Sequence, residues 1–105
     1  MNYEPKVGDH LYTWTPCTSY YVAMVKDPWT VISVKGKTCI IQEAEPIFYG
    51  PRYYDTLADD IVENPLGRTM TLRWSEKKQR WQESPNNGYP RVAVFGEWKY
   101  YPYLD

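Results

Sequence analysis

The sequence has few of the residues from which catalytic and metal sites are built. It contains one histidine, His10, and two cysteines, Cys17 and Cys39. Two cysteines do not make a disulfide framework, and with a single histidine they lack the ligand number and spacing of a zinc site. No glycine-rich phosphate-binding motif occurs in the chain. We therefore expect no catalytic residues, no metal and no cofactor, in a protein that is not an enzyme.

One thiol arrangement stays open as an alternative. A cysteine nucleophile needs a base within hydrogen-bonding reach, and Cys17, in a loop, is the cysteine that His10 could serve. Cys39 stands within an aliphatic run, where a small buried hydrophobic residue is typical. The enzyme alternative is therefore a hydrolase that uses the His10–Cys17 pair or clustered carboxylates.

Long apolar runs are also missing. None approaches the roughly 20 residues that span a bilayer, and the first ten residues, MNYEPKVGDH, have no signal-peptide core. These absences favour a cytoplasmic protein that does not contact membranes. The chain has 105 residues, a length that supports one hydrophobic core, and we expect a single domain spanning 1–105.

Aromatic residues and chain breakers, in contrast, are abundant. The chain has eleven Tyr, five Trp and two Phe, and nine Pro and six Gly divide it into short segments. Short segments rich in Tyr, Trp, Val, Ile and Thr are typical of strands. Turns recur about every eight to twelve residues, a spacing that predicts an all-β barrel or sandwich.

The clearest predicted element is a hairpin in the stretch WTVISVKGKTCIIQEAE. Two β-branched runs flank Lys35-Gly36-Lys37, a compact turn in which Gly can adopt a positive φ. The pattern leaves open which of two sets of residues faces the core. One set is Val31, Thr38 and Ile40, and the other is Ile32, Val34, Cys39 and Ile41.

A Gly-Asp turn, a long loop and this hairpin resemble the start of SH3-like barrels. We therefore predict a mostly β fold: a small SH3-like, partly open β-barrel with added strands, the later strands forming a second sheet. At most one short helix is expected, in DTLADDIVEN (55–64), where helix and strand both remain open. The tail EWKYYPYLD is predicted as a strand that packs one face, Trp98, Tyr100, Pro102 and Leu104, on the core. Its other face, Lys99, Tyr101 and Tyr103, lies near the surface and is open as a binding edge.

Acidic residues and tyrosines are concentrated in residues 43–63. This stretch has six acids and one base, although the net charge of the whole chain is −1. An acidic patch with aromatic anchors can occupy a basic groove that normally holds nucleic acid. The predicted partner-binding residues are Glu43, Glu45, Tyr49, Tyr53, Tyr54, Asp55, Asp59, Asp60 and Glu63. The alternative is that these acids form a solvated, solubilising face.

A basic hairpin at 68–80 offers a second candidate surface. Its alternative nucleic-acid-binding residues are Arg73, Lys77, Lys78 and Arg80. Trp74 and Trp81 are interleaved with them, and aromatic rings beside basic groups can bind single strands by stacking and phosphate contact. The chain as a whole is slightly acidic, and the alternation in TMTLRWS places Trp74 on the apolar face of its strand, so direct nucleic-acid binding is the second choice. The alternative is that these basic residues form a charged hairpin tip.

Four fragments resemble, in the same order, a set of small uncharacterised proteins carried by phages and prophages. They are GKTCIIQEAE (36–45), NPLGRTMTLR (64–73), RWQE (80–83) and RVAVFGEWKYYPY (91–103). The shared features are a Gly-Lys turn before a Gln-Glu strand, an Asn-Pro-x-Gly-Arg turn, an Arg-Trp strand and a glycine followed by paired tyrosines. Residues 13–30 depart from the pattern because they are longer and more aromatic.

The resemblance implies an origin in a mobile element and a location in the cytoplasm of a bacterial host. Small proteins of such elements include anti-CRISPR proteins that block Cas9, an effector that holds nucleic acid in a positively charged channel. The expected function is inhibition of a host nucleic-acid-handling defence complex, with a host protein or ribonucleoprotein of basic surface as the partner. A structural or accessory phage protein is a further alternative, and the oligomeric state is open.

Overall fold

The computed structural model describes residues 4–15, 25–51, 58–85, 88 and 90–101. Within these ranges the chain forms eight strands and no helix. The strands are β1 (His10–Trp14), β2 (Lys26–Lys35), β3 (Thr38–Glu43), β4 (Glu45–Ile47), β5 (Asp60–Val62), β6 (Thr69–Ser75), β7 (Arg80–Glu83) and β8 (Val92–Phe95).

Six of the strands close into an antiparallel barrel. Their order is β1-β2-β3-β6-β7-β8, and β8 pairs back onto β1 through contacts such as Leu11 with Phe95. The predicted mostly β, small SH3-like barrel is confirmed, and the barrel is closed rather than partly open. Closure matters because it pairs both edges of the sheet, which otherwise expose unpaired N–H and C=O groups.

The two remaining strands form a separate sheet that is inserted between β3 and β6. β4 pairs with β5 in antiparallel register. The expectation that the later strands would build the second sheet is wrong, because those strands are used to close the barrel. Within the segment 55–64, the question of helix or strand is settled for Asp60–Val62, which is strand β5. Residues 55–57 lie outside the described residues.

A β-bulge explains why neither predicted hairpin face is the inner one. Val31 pairs with Ile41, but the register then shifts between Val31 and Ser33, so that Val34 pairs with Cys39. One extra residue in a strand moves every following side chain to the other face. The buried residues are therefore Val31, Cys39 and Ile41, whereas Ile32 and Ile40 are exposed, and Val34, which pairs with Cys39, is 37% exposed.

The core inside the barrel combines aliphatic and tryptophan side chains. Its buried members are Leu11, Trp29, Val31, Cys39, Ile41, Leu72, Trp74, Trp81 and Ala93. The rings of Trp74 and Trp81 pack edge to face, with centroids 6.1 Å apart. The indole Nε1 of Trp29 donates a hydrogen bond of 2.8 Å to Thr13 Oγ1, so this buried polar group is satisfied. Burial raises the pKa of the Cys39 thiol to about 11, which leaves Cys39 a protonated core residue at neutral pH.

The tail packs on the outside of the barrel and is not a regular strand within the part that the structure describes. Trp98 stacks on His10 of β1, with ring centroids 3.6 Å apart, and donates its Nε1 to the Trp29 carbonyl at 2.8 Å. Tyr101 forms an isolated bridge with Lys26. The expected final strand that completes the core is therefore wrong for residues 97–101, since their pairing partner is the outer surface of β1 and β2.

Truncating a core leucine tests this packing. We expect Leu72→Ala to lower the free energy of unfolding by about 2–5 kcal/mol, because Leu72 is fully buried and its loss leaves a cavity. Leu66 is 95% exposed, and Leu66→Ala is the matched control, with an expected change within about 0.5 kcal/mol. Urea denaturation followed by tryptophan fluorescence measures both. Equal losses in the two variants would contradict the assignment of Leu72 to the core.

Candidate functional site

Residues 45–51 and 58–63 form what we call the acidic ribbon. In its two strands Glu45 pairs with Val62, Pro46 with Ile61 and Ile47 with Asp60. Paired residues of antiparallel strands share a face, so Glu45 and Asp60 lie on the face opposite to Ile61. Ile61 lines a groove together with Trp98 and Tyr100 of the tail. The carboxylates of Glu45 and Asp60 are therefore on the solvent face of the ribbon, and both residues are exposed.

The end of the acidic ribbon presents an exposed aromatic ring. Tyr49 is 76% exposed. Its backbone N–H donates a hydrogen bond of 2.8 Å to Asp59 Oδ2, and the N–H of Asp59 donates one of 2.8 Å to the Ile47 carbonyl. Asp59 thus fixes the backbone that carries Tyr49, while the ring of Tyr49 projects into solvent.

Two of the predicted acids turn toward the barrel instead. Glu43 Oε2 accepts hydrogen bonds from both Nε and Nη2 of Arg68, and this bonding and the charge of Glu43 raise the pKa of Arg68. Glu63 lies 3.7 Å from His10 Nε2. The structure therefore brings Glu45, Tyr49, Asp59 and Asp60 together on the ribbon, and it sets Glu43 and Glu63 apart. Tyr53, Tyr54 and Asp55 lie outside the described residues.

The basic hairpin is formed by β6, the turn 76–79 and β7. Arg73, Lys77 and Lys78 are exposed, while Arg80 is half-buried and donates its Nε to Gln82 at 2.9 Å. Trp74 and Trp81 are core residues, only 8% and 6% exposed. The prediction that they stack on nucleic-acid bases is wrong, because their alternation along the strands points them into the barrel. Glu76, in the same turn, forms an ion pair of 2.7 Å with Lys37.

The elements of the thiol alternative do not form a described site. His10 is stacked on Trp98 and faces Glu63, and Cys39 is buried in the core. Cys17 lies outside the described residues. Among the residues that the structure describes, no cluster of three or more His, Cys, Asp or Glu side chains could hold a metal ion.

Sequence reasoning missed a groove that three distant segments assemble on the outer barrel surface. We call it the aromatic groove, and its lining residues are Lys26, Ala58, Ile61, Trp98, Lys99, Tyr100 and Tyr101. The sequence signal is the cluster of aromatic residues and a lysine at 98–101, for which the alternation predicts a strand. A strand sends alternate side chains to the core, whereas in the irregular segment all four residues line this groove.

A half-buried aspartate lies at one end of the barrel. Asp27 pairs with Thr13, whose side chain is buried, so Asp27 is directed toward the barrel interior. Burial raises the pKa of Asp27, and the negative charge of Glu43 raises it further. The positive charges of Arg91 and Arg68 act in the opposite direction but do not cancel the rise. Ionisation of Asp27 therefore lowers the free energy of unfolding, unlike the ionisation of an exposed carboxylate.

No protein-family model, no curated protein and no solved structure matches this chain. No helix among the described residues is long and apolar enough to cross a membrane. A barrel fold alone does not define an activity, because small barrels carry many unrelated functions. The candidate functional surfaces are therefore the acidic ribbon, the basic hairpin and the aromatic groove.

The raised pKa of Asp27 gives a pH-dependent prediction. In the unfolded chain Asp27 ionises around its ordinary pKa of 3.8, below the value in the folded protein, so stability falls as pH rises through that interval. Asp27→Asn removes this loss. We expect the variant to match the wild type at pH 3 and to be more stable than the wild type at pH 7, as measured by urea denaturation at both pH values.

The control for Asp27 is Asp60→Asn, which removes the same charge from an exposed position. It is expected to leave the difference in stability between pH 3 and pH 7 close to that of the wild type. A lower stability of Asp27→Asn at pH 7 would show that attraction to Arg91 outweighs the cost of burial.

The absence of a side chain at Gly67 allows the turn that precedes β6 to lie close to the backbone of β3. A Cβ atom on Gly67 would lie 2.2 Å from the backbone oxygen of Glu43. We expect Gly67→Ala to lower the free energy of unfolding by about 1–3 kcal/mol, because the turn must move away from the strand that carries Glu43. Gly50→Ala, where a Cβ meets nothing within 4 Å, is the control in the same denaturation assay. A loss no larger than that of the control would contradict the close approach.

Proposed function

We propose that this protein is a non-enzymatic binding protein of a mobile element that inhibits a host nucleic-acid-handling defence complex, as anti-CRISPR proteins do. The partner is a protein or ribonucleoprotein with a basic surface, and the acidic ribbon is the contact. The observation that carries the proposal is Tyr49, a ring that is 76% exposed at the end of the ribbon and held in place by Asp59. The origin in a mobile element rests on the resemblance of four sequence fragments to phage and prophage proteins.

The charge distribution on the ribbon favours a basic partner. Glu45, Asp59 and Asp60 are its exposed acids besides Glu63, which lies beside His10, and no Lys or Arg occurs in residues 45–51 or 58–63. Carboxylates on a narrow ribbon can enter a cleft that binds phosphates. The lysines and arginines of the cleft attract the negative charge of carboxylates as they attract that of phosphates. Charge of this kind accelerates association and selects the partner.

Tyr49 supplies an aromatic ring that can be buried in a complex, which the carboxylates do not. An exposed aromatic ring that becomes buried in a complex contributes a large part of the binding energy, and tyrosine is enriched at such positions. Since hydrogen bonds fix the backbone at Tyr49, little conformational entropy is lost when the ring is captured. The ribbon thus combines long-range attraction with a preformed anchor.

The basic hairpin is less suited to be the main contact. Its two tryptophans are committed to the core, and Glu76 places a carboxylate beside its lysines. Phosphate contacts by Arg73, Lys77, Lys78 and Arg80 would remain, but without rings to stack on bases. Direct nucleic-acid binding by the hairpin is therefore the second candidate.

A double substitution on the ribbon tests the proposal. We expect the wild-type protein to inhibit DNA cleavage by at least one member of a panel of purified RNA-guided nucleases that includes Cas9. Glu45→Lys with Tyr49→Ala should weaken this inhibition by about 30-fold or more, because loss of an anchor costs about 2 kcal/mol or more. The hydrogen bond to Asp59 uses the backbone of Tyr49, so the ribbon can keep its fold in this variant.

The control variant is Glu4→Lys with Leu66→Ala, which also reverses one exposed carboxylate and truncates one exposed large side chain, away from the ribbon. It is expected to inhibit like the wild type. Equal weakening by both variants would remove the ribbon from the contact. Absence of inhibition of every nuclease in the panel would contradict the proposed class of target.

A further inference from the structure

The aromatic groove on the outer face of the barrel is a concave surface that the proposed function does not use. It has a volume of about 350 Å³, at the lower end of the range of small-molecule sites. Its floor and walls come from the tail, from β2 and from the inner face of the acidic ribbon, where Ala58 and Ile61 lie. The acids Glu45 and Asp60 are on the opposite face of the ribbon, so this groove and the protein-binding face are different surfaces.

The aromatic walls of the groove are held in place before any ligand binds. The ring of Trp98 is stacked on His10, with an angle of 13° between the planes, and its Nε1 is bonded to the Trp29 carbonyl. The ring of Tyr100 packs edge to face on Phe48 at 5.7 Å. Lys26 and Tyr101 exchange two backbone hydrogen bonds of 3.0 and 2.9 Å. The rings of Trp98 and Tyr100 and the backbone at Tyr101 are therefore ordered before a flat ligand binds, which lowers the entropic cost of stacking.

Two lysines belong to the lining of the same groove. The ammonium groups of Lys26 and Lys99 lie 5.9 Å and 5.1 Å from the centroid of the Tyr12 ring, and both residues line the groove. Lys26 makes no ion pair with any carboxylate among the described residues, and Lys99 faces Glu97 at 3.6 Å with both side chains exposed. Exposed pairs of this kind contribute little, so an anionic ligand can compete for both ammonium groups.

We propose that the aromatic groove binds a nucleotide unit, with the base against the rings of Trp98, Tyr100 and Tyr101 and the phosphate at Lys26 and Lys99. Stacking on aromatic rings, combined with a few cationic contacts to phosphate, is how proteins bind single strands without reading their sequence. An aliphatic ligand would not use the lysines, and a simple anion would not use the rings. The size of the groove fits one unit of a strand and not a duplex.

The groove includes Ala58 and Ile61 of the ribbon, but nucleotide binding there does not depend on the solvent face of the acidic ribbon or on the nature of the partner that this face binds. The same chemistry is supplied by a free mononucleotide and by a single strand, and the experiment separates these two sources. The basic hairpin is the competing location for phosphate contacts, and the experiment includes it as the matched control.

The test is a fluorescence-anisotropy titration of the full chain with labelled dT12 at several salt concentrations, together with unlabelled AMP as competitor. We expect dT12 to bind at low salt and to be released as salt rises. Lys26→Met with Lys99→Met keeps the length of both side chains over Tyr12 and removes their charge. This variant should bind at least about tenfold more weakly, and its salt slope should fall by about 0.7, since the two lysines contact one phosphate and each phosphate contact to a single strand contributes about 0.7.

The control is Lys77→Met with Lys78→Met, which removes the same charge from the exposed turn of the hairpin. It is expected to retain wild-type affinity within about threefold. Displacement of dT12 by AMP at millimolar concentration supports the free nucleotide as a ligand, and a lack of displacement assigns the groove to strands. Either result supports a nucleotide site.

Three results would overturn the inference. The first is an absence of binding by both dT12 and AMP. The second is an equal loss of affinity in the groove and hairpin variants, which would mean general attraction to positive charge. The third is retention of wild-type affinity and salt slope by the groove variant while its circular dichroism spectrum matches that of the wild type.

Discussion

The burial of Trp29 is the constraint on which most of this structure depends. The side chain is 1% exposed at the centre of the barrel, and its indole N–H is satisfied by Thr13 of the neighbouring strand. The backbone carbonyl of the same residue accepts a hydrogen bond from the indole N–H of Trp98 in the tail. One residue therefore joins β1 to β2 in the core and fastens the tail to the outer surface. Core packing and tail docking therefore both depend on the position of Trp29.

Closure of the barrel determines where a partner or ligand can bind. With β8 paired to β1, the six barrel strands have no free edge for an added strand. Among the described residues, the surfaces that we propose for recognition are the acidic ribbon, the turn of the basic hairpin and the aromatic groove. Charge is separated between them: the ribbon presents carboxylates to solvent, and the groove on its other side carries lysines. A small protein can therefore present two surfaces of opposite sign on the two faces of one two-stranded sheet.

The acidic cluster could be predicted from the sequence only as a group, because neighbours along the chain need not face the same way. The carboxylate of Glu43 is hydrogen-bonded to Arg68, which lies 25 positions away, and the carboxylate of Asp59 accepts a hydrogen bond from the backbone N–H of Tyr49. The alternation in TMTLRWS correctly placed Trp74 on an apolar face, yet the idea of base stacking required that ring at the surface. The aromatic groove could not be predicted, since Lys26, Ile61 and Trp98 meet only when the ribbon and the tail fold onto β2.

Local chemistry in the sequence determined the strands, the turns and the mostly β class, since β-branched and aromatic alternation and the breaks at Gly and Pro act over a few residues. The Lys35-Gly36-Lys37 turn is a clear example, with Gly36 at a φ of 60°. Only the tertiary structure decided the inward face of that hairpin, because a single bulge at Ile32 reverses the pattern. It also decided the path of the tail and which carboxylates remain available. These outcomes depend on hydrogen bonds and packing between residues far apart in the chain, whose energies no short stretch of sequence contains.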